Sequence, residues 1–296
     1  MKKKIVNLLR IMGLLNTSKM ILRCVNFMTI ISLNKKTIRT PYLFGIHCKV
    51  NEPWMIEVLK KIFNLKHGAF IDVGVNIGQT LIQVKAIEGN RKYIGFEPNP
   101  SCNFYVEQLI QKNKFTDCLI IPAGLFVNDS LMKLDLYGDD ITNSGASLIT
   151  DFRESRKNDW IRRSIIVPVY SFNTVKEALN INAFDIVKID VEGSELEVLN
   201  ALKSGIIENN PIILLEVLPA YSPDNSKRIE RQNKIMQLMI ELNYAIYRIV
   251  KNRNNKFEGI LKIEDFGIHS NLEWCDYLLI PDNELAILET NFSIIV

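Results

Sequence analysis

The stretch Gly68-Ala69-Phe70-Ile71-Asp72-Val73-Gly74-Val75-Asn76-Ile77-Gly78 constrains this chain more than any other. Ala69-Phe70-Ile71 is an apolar run too short for a helix of its own, and it reads as a buried strand. Asp72 closes that strand. Gly74 and Gly78 let the backbone turn sharply and let a ligand approach without a Cβ in the way. Helical spacing then begins at Ile77 and continues through Leu81, Ile82 and Lys85. Strand, glycine turn and helix in that order suit an open α/β sheet, which binds ligands at the carboxyl ends of its strands, beside the helix N-termini. The loop is therefore the expected seat of a nucleotide-like cofactor. Standing alone, it would equally suit an ordinary βα turn.

The next strand adds weight. Lys92-Tyr93-Ile94-Gly95-Phe96-Glu97 ends in an acid 25 residues after Asp72. An acid at the tip of the second strand is placed to accept hydrogen bonds from both hydroxyls of a ribose. Pro98 and Pro100 stop the strand and launch the next helix. The spacing invites a comparison with nicotinamide enzymes, but the turn is Gly-Val-Asn-Ile-Gly rather than G-x-G-x-x-G. Without the glycine triplet that admits a pyrophosphate, a cofactor lacking one fits better, and S-adenosylmethionine is the common choice. Asp72 and Asn76 then serve its amino acid end and Glu97 its ribose.

Three motifs taken in order are specific where each alone is not. Asp72-Val73-Gly74-x-Asn76-x-Gly78, Glu97-Pro98-x-Pro100 and Lys188-Ile189-Asp190-Val191-Glu192-Gly193-x-Glu195 resemble those of the FkbM-type methyltransferases. The likeness runs from about Gly68 to about Pro219, with small departures at Val75, where alanine is usual, and at Asn200-Ala201, where glycine is frequent. It implies a Rossmann-like class I methyltransferase: an α/β fold with a mostly parallel seven-stranded sheet and an antiparallel last strand. It also implies S-adenosyl-L-methionine as cofactor, held by Asp72, Gly74, Asn76, Gly78, Glu97 and Pro98. The reaction implied is O-methylation of a small molecule or glycan, most simply a sugar hydroxyl. By the same resemblance, Ala123-Gly124-Leu125 fall near the adenine.

The third motif carries the acids and the lysine of the reaction. Phe184 to Asp190 reads as a central strand, buried on both sides if parallel. Methyl transfer to oxygen requires the acceptor hydroxyl to be positioned and its proton removed. Asp190 and Glu192 are the candidate bases, with Lys188 beside them. A divalent metal held by the same acids is the alternative, but no full ligand set is present, and none is assigned. Glu195 equally suits an acid at a helix N-terminus, and Ser194 the cap. Glu216, at the end of the next strand, is a further candidate for the cleft.

The rest of the chain frames these motifs. Residues 1–51 hold ten of the 36 Lys and Arg and none of the 33 acids, so the remainder is acidic, with 26 basic against 33 acidic residues. Residues 1–50 are read as a basic helical extension and 51–296 as the methyltransferase domain. The extension lacks a charge-free span and a small-x-small cleavage site, so neither a membrane helix nor a signal peptide is expected. A cap on the domain, a dock for a partner enzyme, or a peripheral contact with the inner membrane surface all suit it. Val127 to Tyr170 breaks the βα alternation and reads as a β insertion with a mobile loop, including a small polar segment at Thr142–Leu148; it suits a cover over the acceptor site and a plain surface hairpin equally. Tyr244–Val250 and Asp276–Ile280 read as the last two strands. Five scattered cysteines without a C-x-x-C suit a reducing cytoplasm, with neither disulfides nor zinc. No stripe of aromatic and basic residues suggests nucleic acid. A non-catalytic Rossmann-like scaffold and a nicotinamide-dependent oxidoreductase are the competing readings; the intact Asp72, Gly74, Gly78 and Glu97 weigh against the first and the missing third glycine against the second.

Overall fold

The computed structural model describes residues 27–43, 45–50, 52–137, 141–142, 144–149 and 161–295. Its centre is an eight-stranded sheet. β4 (Phe70–Val73), β5 (Tyr93–Phe96), β6 (Cys118–Ile121), β10 (Ile186–Ile189) and β11 (Ile212–Glu216) are parallel; β12 (Tyr244–Lys251), β13 (Phe257–Lys262) and β14 (Asp276–Pro281) complete it. The order is β13-β12-β14-β11-β10-β4-β5-β6. β14 is antiparallel to both β11 and β12, so the expected antiparallel last strand is present. The expected strand count is corrected from seven to eight. The additional strand is β13, which lies between the two segments read as the last strands; only its Gly259 and Ile260 are buried, and pairing with β12 makes it a strand.

Alternation along the parallel strands sends side chains to two cores. Phe70, Ile186, Ile212 and Leu214 pack with α1 (Pro53–Phe63), α2 (Gln79–Ile87) and α3 (Pro100–Asn113). Ile71, Val73, Val187, Ile189, Ile213 and Leu215 pack on the other face. There they meet α4 (Phe172–Leu179), α5 (Glu195–Ala201), α6 (Lys203–Asn209) and α7 (Ser226–Glu241). A short α8 (Leu285–Asn291) follows β14. By the same alternation, Asp72 and Lys188 share the face of α1–α3, and they are register neighbours.

The N-terminal expectation needs a second correction. The described residues from 27 to 47 form strands and turns, not helix: β1 (Phe27–Leu33), β2 (Lys36–Leu43) and β3 (Ile46–His47) make a small antiparallel sheet. Asn34 and Lys35 both have positive φ, 48° and 62°, the two-residue turn that matches strand twist. Phe27 to Leu33 is apolar on both faces, so the run suits either period, and pairing with β2 decides it. Ile38 and Cys48 enter the main core. The Tyr105 hydroxyl of α3 donates to the Pro41 carbonyl (2.6 Å) and accepts the Cys48 N–H (2.7 Å), fixing the hairpin to the domain. The helix expected over residues 1–26 lies outside the described residues. Among the described residues no helix is long and apolar enough to cross a membrane.

The β insertion is present as β7 (Gly124–Leu125), β8 (Ser130–Leu136) and β9 (Arg163–Tyr170), in the order β7-β9-β8. Residues 150–160, between β8 and β9, lie outside the described residues.

Candidate active site

The parallel strands end at a cavity of about 460 Å³. Gly74 makes its floor possible. It sits at φ +95°, and a Cβ there would stand 1.8 Å from the Asp190 carbonyl oxygen. The Gly74 N–H donates to the Phe96 carbonyl (3.0 Å) and the Asp190 N–H to the Val73 carbonyl (3.0 Å), so the ends of β4, β5 and β10 are laced together. Asn76 follows at φ +49°, and its side-chain oxygen accepts the Ile77 N–H at 2.7 Å. Gly78, at φ +82°, is the left-handed residue that starts α2.

Glu97 joins this turn to the next. Its Oε2 accepts the Asn76 N–H and its Oε1 the Asn99 N–H, both at 2.7 Å. Each oxygen keeps a further lone pair. Burial pushes Glu97 up to about 7, although both N–H bonds favour its charged form. On the opposite wall the loop after β10 carries Glu192 at φ +52° and Gly193 at φ +117°. The Gly193 N–H donates to Glu195 Oε1 (2.7 Å), so Glu195 is a buried carboxyl tied to its own turn. Ser194 precedes α5 but makes no capping bond to it; its hydroxyl donates to the Val191 carbonyl.

The expected site residues divide in two. Gly74, Asn76, Glu97, Pro98, Asp190 and Glu192 line the cavity, and so does Glu216. Asp72, Gly78 and Lys188 do not. Asp72 and Lys188 sit one residue short of their strand ends, on the face that α1–α3 cover, whereas Gly74 and Asp190 lie beyond those ends. The Asp72 carboxylate is fully buried, accepts the Tyr93 hydroxyl at Oδ2 and has no partner for Oδ1. Burial pushes Asp72 up to about 6, against the pull of Lys188 and the Tyr93 bond. Lys188 donates to Asp190 Oδ2 at 2.8 Å from behind the wall. Burial works against its charge, but Asp190, Asp72 and Glu52 outweigh it and leave the ammonium firmly protonated.

The insertion closes the cavity. Thr142, Ser144, Ala146 and Leu148 line it, as do Gly124 and Leu125. Ser147 Oγ donates to the Glu192 carbonyl (2.9 Å) and Asn99 Nδ2 to the Ile141 carbonyl (2.9 Å), pinning the covering segment at two places. His47 and Lys49 also line the cavity and were not legible in the sequence: they arrive at the end of β3 and just after it, far from any motif. The wall carries the carboxyls of Glu97, Asp190, Glu192 and Glu216 against one lysine and one histidine. Such a wall favours a cationic guest, and the volume lies in the range of about 300–1,000 Å³ usual for small-molecule sites.

The family model described as Methyltransferase FkbM domain matches residues 72–255. No curated protein matches the chain. Among solved structures, the methyltransferase FkbM of Methylobacillus flagellatus KT is 14% identical with a TM-score of 0.43, over 72% of this chain and 43% of that one. This chain thus spans less than half of that protein's length. The precorrin-6y C5,15-methyltransferase of Geobacter metallireducens is 11% identical with a TM-score of 0.37, over 75% of this chain and 82% of that one. The fibrillarin of Aeropyrum pernix, solved with S-adenosyl-L-methionine bound, is 10% identical with a TM-score of 0.43, over 86% and 82%.

Proposed function

The chain belongs to the FkbM methyltransferase family, and we propose that it carries a methyl group from S-adenosylmethionine to a hydroxyl oxygen, with a sugar or glycan as acceptor. The observation that carries this reading is Glu97. It is a buried carboxyl at the tip of β5 that lines the cavity, held by the backbone N–H groups of Asn76 and Asn99, with lone pairs left for two ribose hydroxyls. The donor set fits the cofactor. The carboxyls of Glu97, Asp190 and Glu192 suit a sulfonium, and the Gly74–Asn76 turn offers a close backbone approach for its amino acid end.

Bound there, S-adenosylmethionine supplies a methyl group activated by its positively charged sulfur. The protein's part is to hold both partners in line and to take one proton. Asp190 is the group for that proton: its carboxylate lines the cavity and Lys188 keeps it charged from behind. Glu192 flanks it on a turn that the insertion holds in place through Ser147. Carboxylates near a sulfonium stabilise the bound cofactor more than the transition state, because the positive charge disperses on transfer. The scattered cysteines lead us to place the enzyme in the cytoplasm. We assign the basic residues 1–26 to contact with an anionic membrane surface or a partner enzyme.

Calorimetric titration with S-adenosylhomocysteine and, separately, with NADH tests the cofactor. Micromolar binding of the first alone is the expected result. Binding of NADH alone would replace the reading with a dehydrogenase, and binding of neither would leave a scaffold. Mass spectrometry of candidate glycans after incubation with the protein and cofactor then identifies the acceptor.

A further inference from the structure

Neighbouring strand ends put three acids in one row across the sheet. Ile189 of β10 stands beside Leu215 of β11, so Asp190 and Glu216 follow as neighbours, and Glu216 is paired in turn with Asp276 of β14. Asp190 and Glu216 line the large cavity; both also line a void of about 10 Å³ behind it, with Glu52, Lys188 and Asp276. The two residues therefore stand side by side in the partition between these two spaces. Two carboxyls placed next to each other in a poorly solvated wall do not both ionise, so one of the two holds a proton.

Lys188 decides which. Its Nζ lies 2.8 Å from Asp190 Oδ2, so the negative charge is favoured on Asp190 and the proton falls to Glu216. The other charges around the pair are Glu52 ahead of α1, Asp72 of β4, Glu192 of the β10 loop, Asp276 of β14 and Lys251 of β12, which is ion-paired to Asp276. We propose that Glu216 is a positioning residue that acts as a carboxylic acid: its O–H donates to Asp190, and together with Lys188 it fixes the Asp190 carboxylate against the cavity. The inference rests on the reading of Asp190 as proton acceptor. During transfer the acceptor's O–H bond breaks as the new C–O bond forms. The S–C bond breaks with its electron pair going to sulfur, and the proton moves to Asp190. The pair then holds two protons and returns one to solvent when product leaves. The surroundings agree: the charge on Asp190, then burial, push Glu216 well up. Burial opposes the charge on Asp190, but Lys188 brings it below the usual carboxylate range.

The test is carbon NMR of the full chain labelled at its Asp and Glu side-chain carboxyl carbons, run at pH 8. Glu52, Glu97 and Glu195, each pushed up to about 7 chiefly by burial, are mostly ionised there. One glutamate signal is expected to remain in the protonated range, to vanish in Glu216→Gln, and to shift to the ionised range in Asp190→Asn, where the neighbouring charge is gone. The wild-type titration suffices if either variant fails to fold. A wild-type protein with every glutamate ionised at pH 8 overturns the inference. So does a protonated signal that survives Glu216→Gln. S-adenosylhomocysteine titrated into the same sample separates the two readings. Absent binding removes the cofactor assignment while the proton on Glu216 is still read directly.

Discussion

Glu97 ties ligand affinity to pH, and the size of the effect follows from its surroundings. Burial raises its folded-state value to about 7 from the ordinary glutamate value of 4.5, with the Asn99 and Asn76 N–H groups opposing. The free protein therefore holds a proton on Glu97 below neutrality, whereas two ribose hydroxyls donate to the ionised form. Binding must expel that proton. The ionised fraction falls from about nine tenths at pH 8 to about one tenth at pH 6, so S-adenosylhomocysteine is expected to bind about tenfold more weakly at pH 6. That difference is about 1.4 kcal/mol. The sign for folding runs the other way. A carboxyl raised in the folded state contributes stability that is fully present below about 4.5 and is lost as pH rises through about 7. Glu97→Gln abolishes the pH dependence and weakens binding at pH 8 by about 1.5–3 kcal/mol, the loss of a charged hydrogen bond. The assay is calorimetry at pH 6 and pH 8 in two buffers of different ionisation enthalpy, which also counts the protons released. Equal affinity at both pH values with no proton release, or a Gln variant that keeps the slope, would falsify the role given to Glu97.

Two further outcomes probe the framework beneath the site. Gly74→Ala places a Cβ 1.8 Å from the Asp190 carbonyl oxygen at a φ of +95°. The left-handed conformation alone costs about 1–2 kcal/mol, so the variant is expected to melt lower and to lose S-adenosylhomocysteine binding; a wild-type melt with wild-type affinity would refute the packing argument. Tyr93→Phe leaves the buried Asp72 carboxyl without its hydroxyl partner and should destabilise the protein by about 1–3 kcal/mol in urea. The loss should be larger at pH 8, where Asp72 is ionised, than at pH 5, because burial holds Asp72 at about 6; an equal loss at both would mean that Asp72 stays neutral.

The sequence alone determined the parts of this protein whose cause is local. A short apolar run, a glycine turn and a helical period make the first βα unit, and an acid at the tip of β5 needs only its strand to reach the site. The family motifs and the β insertion were legible for the same reason: each is written in consecutive residues. The antiparallel last strand was implied only by the resemblance those motifs carry. What the tertiary structure decided depends on residues far apart in the chain. Alternation within β4 and β10 was visible, but which face α1–α3 would cover was not. That choice buries Asp72 against Tyr93, keeps Lys188 behind the wall, and leaves Asp190 and Glu216 in the partition. Phe27 to Leu33 suits a helix or a strand until β2 pairs with it, and only then does the chain carry His47 and Lys49 to the cavity. The eighth strand, likewise, exists because β12 offers an open edge. Local pattern fixes what a segment can become, whereas the hydrogen bonds and buried charges that select among the options come from partners tens of residues away.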